Sequence, residues 1–595
     1  MARDRAIKNN GTYIFEDFSY GLYLLDTPRT LPYQLGSLAL TGGRNIWCEK
    51  GALVPQYGYT KKAAIEPSEP IVGVTDSSTA NDAFIMFTIS GIAYYYSANQ
   101  GLKRYKTTFT DGLDEPLIAR RNNDVILCDA GVSYMFGGYY EDATTVPIVN
   151  DVAISDFGSF YQFKVNPADA VYFWNGKHVC VNDEHDFIVT SSFYAEGDTQ
   201  LTVRISYNGT STPVIAATAN IGEKTLQEIT LTYEPDNTGV DPAVQPTVLD
   251  PMLLGVSQNR LFVLHSNGNI YYSAVGVVND FSQANGAGYF GGFYNDTSQT
   301  LAIEEFINGT VITKQNGFYY LTIGDAVQVE KLSQTGQQYA HDHVIVGNKI
   351  YAYDTNSGSL VEAATQNVFN SLVAGKTLVA SEYLNVQNFN INSTSRFLTY
   401  NWENQCLILY YGQNLDQGII YTIPGQALFP RQLDINVQTY VGFNQGVLAV
   451  TQSGEIVEDF KKGTIIPGLS AIAEFENIGV RDNRMITCTM LELTELNGID
   501  YRVTTTNDGT AYQKIVPSNN TLQSGQPLPP LLYSETGALA DSFELTSRWA
   551  ESQSNVTRVY APMSGRNGIA ISLEFEAGKT FCLAALRLPD FAQGN

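Results

Sequence analysis

The chain is short of positive charge, of histidine and of long apolar runs, and each shortage removes a class of function. Against 60 Asp and Glu it carries 35 Lys and Arg, a formal net charge of −25. A surface of that sign repels phosphate, which excludes gripping a nucleic-acid backbone by counterion release as its main task. No apolar run approaches the roughly 20 residues that span a bilayer, so no membrane-spanning segment is expected. The start, Met1-Ala-Arg-Asp-Arg-Ala-Ile-Lys8, leads into Asn9-Asn10-Gly11 instead of an apolar h-region. The reading is a chain without a secretory signal, folded in a reducing cytoplasm. Cys48, Cys128, Cys180, Cys406, Cys488 and Cys582 are far apart with no CxxC pair, which argues against a zinc ribbon or a disulfide framework and predicts reduced thiols.

What is present is apolar and aromatic: 44% hydrophobic, 12% aromatic, 37 Tyr, and only 16% charged. That is a folded chain, not an acidic disordered one, and 595 residues correspond to about two to four domains. Helical periodicity is nearly absent. Runs of five to seven β-branched or aromatic residues are instead broken by Gly/Asn turns. Residues 84–89 turn at Ser90-Gly91 into 92–96, 171–174 at Asn175-Gly176 into 177–181, 261–264 through Asn267-Gly268 into 269–273, and 310–314 at Asn316-Gly317 into 318–323. Asn-Gly pairs tolerate the positive φ of type I′ turns, so each unit reads as a β-hairpin.

Hairpins recurring every 40 to 50 residues over about 400 residues predict an all-β fold built on a β-propeller of six or seven blades. The expected layout is 1–60 as an N-terminal docking segment and propeller start, 61–195 as blades, 196–250 as an inserted β region, 251–465 as further blades, and 466–595 as a C-terminal β-sandwich-like region. A stack of separate sandwiches is the alternative.

Candidate chemistry is sparse. His178/His185 and His341/His343 are the best histidine pairs; the second shares one strand face, but Asp342 projects to the other and no third ligand is evident. Asp183-Glu184 with Asp186, and Glu304-Glu305, are the acidic clusters, yet adjacent carboxylates on a strand diverge and do not make a glycosidase pair. Thr505–Tyr512 has the look of a lone, Trp-less Asp-box and reads as a hairpin turn. Gly286–Gly292 is interrupted by aromatics and precedes no helix, so it is no phosphate cradle. Lys61-Lys62 and Lys461-Lys462 flank the propeller and mark its seams. The expectation is therefore no enzyme, no catalytic residues, no metal and no cofactor.

Several stretches, in order, resemble the β-propeller nozzle or tail-hub (tail tubular) proteins of short-tailed bacteriophages. Residues 39–59, ALTGGRNIWCEKGALVPQYGY, look like that family's opening, in which an Asn-aromatic strand runs into G-x-L-x-x-x-x-G-Y. Residues 258–264, 270–273 and 279–282 are similar to its NRL…YYS…DF blade, and 313–321 and 346–351 resemble the next two blades. The likeness runs from about 11 to 465; the 196–250 insertion and the C-terminal region depart from it.

The resemblance implies a structural virion component, a homo-oligomeric and hexameric ring in the virion tail. It would be assembled in the host cytoplasm, docked on the tail adaptor and other tail proteins, and would let viral double-stranded DNA pass without specific binding. Acidic walls suit passage without sticking. Arg44, Trp47, Tyr57 and Tyr59 are the interface candidates, with Trp47 as a blade core residue the competing reading. A tail-associated carbohydrate-binding or carbohydrate-degrading propeller is the alternative function.

Overall fold

The computed structural model describes residues 13–22, 39–75, 83–140, 144–183, 185–210, 213–238, 240, 243–291, 293, 296–324, 326–366, 372–384, 389, 391, 395–443, 446–478, 486–495, 501–507, 510–516, 555–565, 569–589 and 592–593. Among these the regular structure is β, apart from three short 3₁₀ turns. Seven sheets have four antiparallel strands each and succeed one another along the chain. We number them as blades: blade 1 (71–108), blade 2 (117–136 with Gln227–Ile229 as its outer strand), blade 3 (251–290), blade 4 (300–333), blade 5 (343–377), blade 6 (396–432) and blade 7 (437–459 with Tyr59–Ala64 as its outer strand).

The first strand of each blade is innermost. Inner strands of blades 1, 2, 3 and 4 touch in succession, as do those of 5, 6 and 7. Glu304 bridges blade 4 to His343 of blade 5, and blades 7 and 1 share one core of Phe443, Val450, Ile71, Phe84 and Met86. The fold is thus a closed seven-bladed β-propeller.

Local chemistry explains the hairpins. Gly268 adopts φ +86 at the Asn267-Gly268 turn, a conformation that a side chain would strain. Gly255, on the inner strand of blade 3, serves a different purpose: a Cβ there would lie 2.3 Å from the Ile303 carbonyl oxygen, so its absence lets blades 3 and 4 close on each other.

Among the described residues, a small three-stranded sheet (Thr232–Glu234, Thr247–Val248 and Phe281–Ser282) and two larger units accompany the blades. A seven-stranded sheet covers 145–224 between the third and fourth strands of blade 2, with its own core of Phe163, Phe173, Phe187, Val203 and Ile221. The insertion is therefore larger than the 196–250 expected. Residues 171–181, expected to be a blade hairpin, belong to it and make no hairpin of their own: Ala170–Tyr172 is a 3₁₀ turn, and His178–Val181 pairs with His185–Tyr194 and Thr218–Lys224. Hairpin grammar is the same in any antiparallel sheet, which is why the boundary was displaced.

The described residues after 466 are likewise β, but they form one 12-stranded curled sheet together with N-terminal strands rather than a unit of their own. N-terminal strands complete it: Tyr13–Phe15 pairs Leu583–Leu588, and Gly42–Arg44 pairs Ala471–Ile478. Gly42–Arg44 and Ile46–Glu49 occupy the two ends of the strand order, so the sheet curls until its edges meet at Asn45. The 1–60 segment is thus divided between this sheet and the closing strand of blade 7, and the sheet's core is continuous with that of blades 5, 6 and 7.

Candidate functional site

The four interface candidates converge where the curled sheet meets the propeller. Asn45 takes φ +57, which reverses the chain between its two strands, and its side-chain oxygen accepts the Gln432 N–H at 2.8 Å. This sets Arg44 against blade 6, where its guanidinium donates to Gln432 Oε1 (3.0 Å), Ser470 Oγ (3.1 Å) and the Ser470 carbonyl (3.3 Å). Trp47 is buried among Tyr57, Phe429 and Phe460, with ring centroids 6.3, 5.4 and 5.3 Å away. Gln56, also buried, donates to the carbonyls of Ile46 (2.7 Å) and Pro430 (2.8 Å) and so laces the segment to blade 6.

The Tyr57 hydroxyl donates to Glu49 at 2.5 Å, and that of Tyr59 to Asp434 at 2.8 Å. Burial, reinforced by these carboxylates, raises both phenol pKa values. Arg44 and Trp47 are thereby committed to contacts within the chain, and Trp47 is a core residue of the seam.

Beneath them lies the polar lock of the closure. Arg431 on blade 6 and Asp459 on blade 7 are both fully buried and paired, Arg431 also donates to the Tyr57 carbonyl (2.7 Å), and Tyr410 donates to Asp459. Lys61 and Lys62 of the closing strand meet Glu455 (2.5 Å) and Glu458 (2.6 Å), while Lys461 meets Glu458 (2.9 Å). Both lysine pairs therefore sit at one seam, where the exposed pairs add little and the buried one fixes geometry.

A cavity of about 850 Å³ runs down the propeller axis, walled by the inner strands of all seven blades. Spread along inner strands of about four residues, roughly 13 Å, that volume corresponds to a bore of about 9 Å, too narrow for a DNA duplex whose major groove alone is about 12 Å wide. Within it His343 Nε2 lies 2.5 Å from Glu304 Oε2 and 3.3 Å from Thr313 Oγ1. Burial would raise the Glu304 pKa, but the charge and hydrogen bond of His343 outweigh it and the net shift is downward.

His341 stacks on Phe397 at 4.5 Å, and enclosure by the blades lowers its pKa despite its opening onto the channel. Asp342 between them points away, into the seam with blade 6. Glu304 and Glu305 are the carboxylates among the described residues lining the channel, and as strand neighbours they diverge, so no acid–base pair spans it. No group of three or more His, Cys, Asp or Glu converges as metal ligands would, among the described residues.

The other sequence candidates scatter. His178 bonds Asp186 at 3.0 Å in the insertion, whereas His185 packs edge-on to Tyr207. Glu184, residues 508–509 of the Asp-box-like turn, and Gly292 fall outside the described residues. All six cysteines are free, with Cys48 and Cys582 half-buried and the others buried. Missed by sequence reading was the anchor of the insertion. Trp174 stacks on Tyr95 of blade 1 (4.9 Å, 11°), and buried Lys177 pairs with buried Glu223, which also accepts the N–H groups of Thr107 (2.9 Å) and Lys106 (3.2 Å).

No family model matches the chain, and no curated protein matches it. Among solved structures, the chain is similar to apo AztD from Citrobacter koseri (9% identity, 60% of this chain and 84% of that one, TM-score 0.28) and to Sqt1 from Saccharomyces cerevisiae (9%, 70% and 99%, 0.30). It is also similar to the C-terminal WD40 domain of Sif2 (10%, 67% and 98%, 0.30). The propeller assignment rests on the strand topology of the chain itself.

Proposed function

We propose that this chain is a ring-forming structural subunit of a short-tailed phage tail, a nozzle or hub protein that extends the DNA ejection channel below portal and adaptor. The reading rests first on the ordered resemblance of residues 39–59, 258–282, 313–321 and 346–351 to that family. The observation that carries it furthest is where the first motif lies. Residues 42–55 supply strands to the curled sheet and 59–64 close the propeller, so one continuous motif welds the two bodies into a single strut. A rigid strut suits a subunit that stacks along a tail and transmits load.

The closed propeller channel is too small for a duplex, so in this reading DNA runs through the hole of a six-membered ring, along the outer surface of each subunit. Residues 61–465 hold 41 acidic against 20 basic side chains, which concentrates the negative charge in the propeller and its insertion. A wall of that sign lets phosphate slide without adhesion. Electron microscopy of the purified protein, alone and with its adaptor, tests this: closed six-fold rings support it, and a protein that stays monomeric with the adaptor refutes it.

A further inference from the structure

We infer that the outer face of the inserted sheet is a binding site for an acidic saccharide, a sugar carrying a carboxylate. Strand His185–Tyr194 begins by alternation: Phe187 and Val189 point into the insertion's core and are fully buried. A β-bulge between Val189 and Ser191 then shifts the register, so that Ser191 pairs with Arg204 instead of another core residue. Phe193 consequently leaves the core for the solvent face and is 37% exposed. Spending a bulge to turn a phenylalanine outward is the kind of local irregularity that re-aims a side chain for use.

The re-aimed ring packs against an arginine. The Arg204 guanidinium lies between two phenyl rings, 4.9 Å from the Phe193 centroid and 5.0 Å from that of Phe160. Phe160 stacks on Phe157 (4.9 Å, 14°), which is 55% exposed at the tip of a hairpin. Arg204 Nε donates to Gln162 Oε1 at 2.9 Å, which fixes the fork's rotation, while its two terminal nitrogens have no partner among the described residues. Nearby charges are already engaged: Lys164 with Asp198, and Asp156 with the Gly158 N–H. In a chain of net charge −25, one arginine is held flat, oriented and unpaired.

A guanidinium so fixed matches a carboxylate bidentately, with little ordering cost left at binding. The exposed Phe157 ring offers an apolar face on which a sugar ring can stack. Ser191, Arg204, Gln162 and Ser155 stand in register across four strands, a polar row at the right place for hydroxyls. A nucleic acid fits less well: a polyphosphate needs several cations, and among the described residues this face offers one free one. The anchoring of the insertion through Trp174, Lys177 and Glu223 keeps the platform fixed relative to the blades.

The inference is independent of the ring reading, since a monomer could bind and a ring could fail to. Calorimetric titration of the full chain with alginate oligosaccharides (uronate), colominic acid (polysialate), dextran and single-stranded DNA tests it. Binding of at least one acidic saccharide is expected, with none to dextran. Arg204→Ala should weaken it about tenfold or more, Arg204→Lys less, and Phe157→Ala severalfold, the last at an exposed position that leaves the fold intact. Absence of acidic-saccharide binding, binding that Arg204→Ala and Phe157→Ala leave unchanged, or stronger Arg204-dependent binding of the DNA would overturn it.

Discussion

Arg396 and Asp342 face each other across the seam between blades 6 and 5, both fully buried, joined by two parallel hydrogen bonds of 2.7 Å (Nε to Oδ1) and 2.8 Å (Nη2 to Oδ2). Asp342 also accepts the N–H groups of Gln338 and Tyr339, and Arg396 donates to the Ile391 carbonyl. Removing one partner strands a buried charge. Asp342→Ala should cost about 3–5 kcal/mol, read as a lowered thermal midpoint, whereas replacing both residues by apolar ones of similar volume should recover most of it.

Trp47 separates two ideas about residues 44–59. As a core residue of the seam, its replacement by Ala should destabilise the isolated protein by about 3–5 kcal/mol. Were it a contact for another subunit, W47A would unfold like the parent and fail only in assembly. Denaturant unfolding of the monomer at low concentration distinguishes these.

Glu223 joins the insertion to blade 1 through Lys177 and two backbone N–H groups. Glu223→Gln keeps the shape but removes the charge opposite a buried ammonium. Hydrogen exchange over 145–224 should accelerate while blades 4 to 6 keep their protection; uniform change across the propeller would contradict an anchoring role.

Acid should weaken the channel wall in two stages. The His341 pKa is held below its ordinary 6.5, so below that pH the unfolded chain takes up a proton that the folded one refuses, and stability falls as pH drops towards the folded value. The Glu304 pKa is held below 4.5, so its contribution is complete above that pH and is lost as pH falls through the folded value. His341→Gln should flatten the first stage and, because the His341 charge helps hold the Glu304 pKa down, shrink the second slightly, measured as thermal midpoint against pH from 7 to 3.

Much of this architecture was written locally. The Gly/Asn turns at 267–268 and 316–317 announce hairpins because their backbone demands are met within four residues, whereas Asn175-Gly176 only leads from a 3₁₀ turn into a strand. The same locality explains what was missed. The segment 171–181 carries no mark of whether its strand pairs within a blade or within the insertion; that depends on pairing with 185–194 and 218–224. Closure by Tyr59–Ala64 against Glu455–Asp459 spans nearly 400 residues, and the Arg396–Asp342 and Arg431–Asp459 locks form between side chains that no motif spacing relates. Arg44, Trp47, Tyr57 and Tyr59 lie within one short segment, but the burial of Trp47 and the contacts of the other three could be read only with blade 6 in place.

Electron microscopy of the purified protein, alone and with the adaptor of a short-tailed phage, tests the proposed ring most directly. Closed six-membered rings are expected, with a hole that admits a duplex and a lumen wall lined by the excess Asp and Glu of residues 61–465. A monomer, or a ring with that charge spread evenly over its outside, would contradict it.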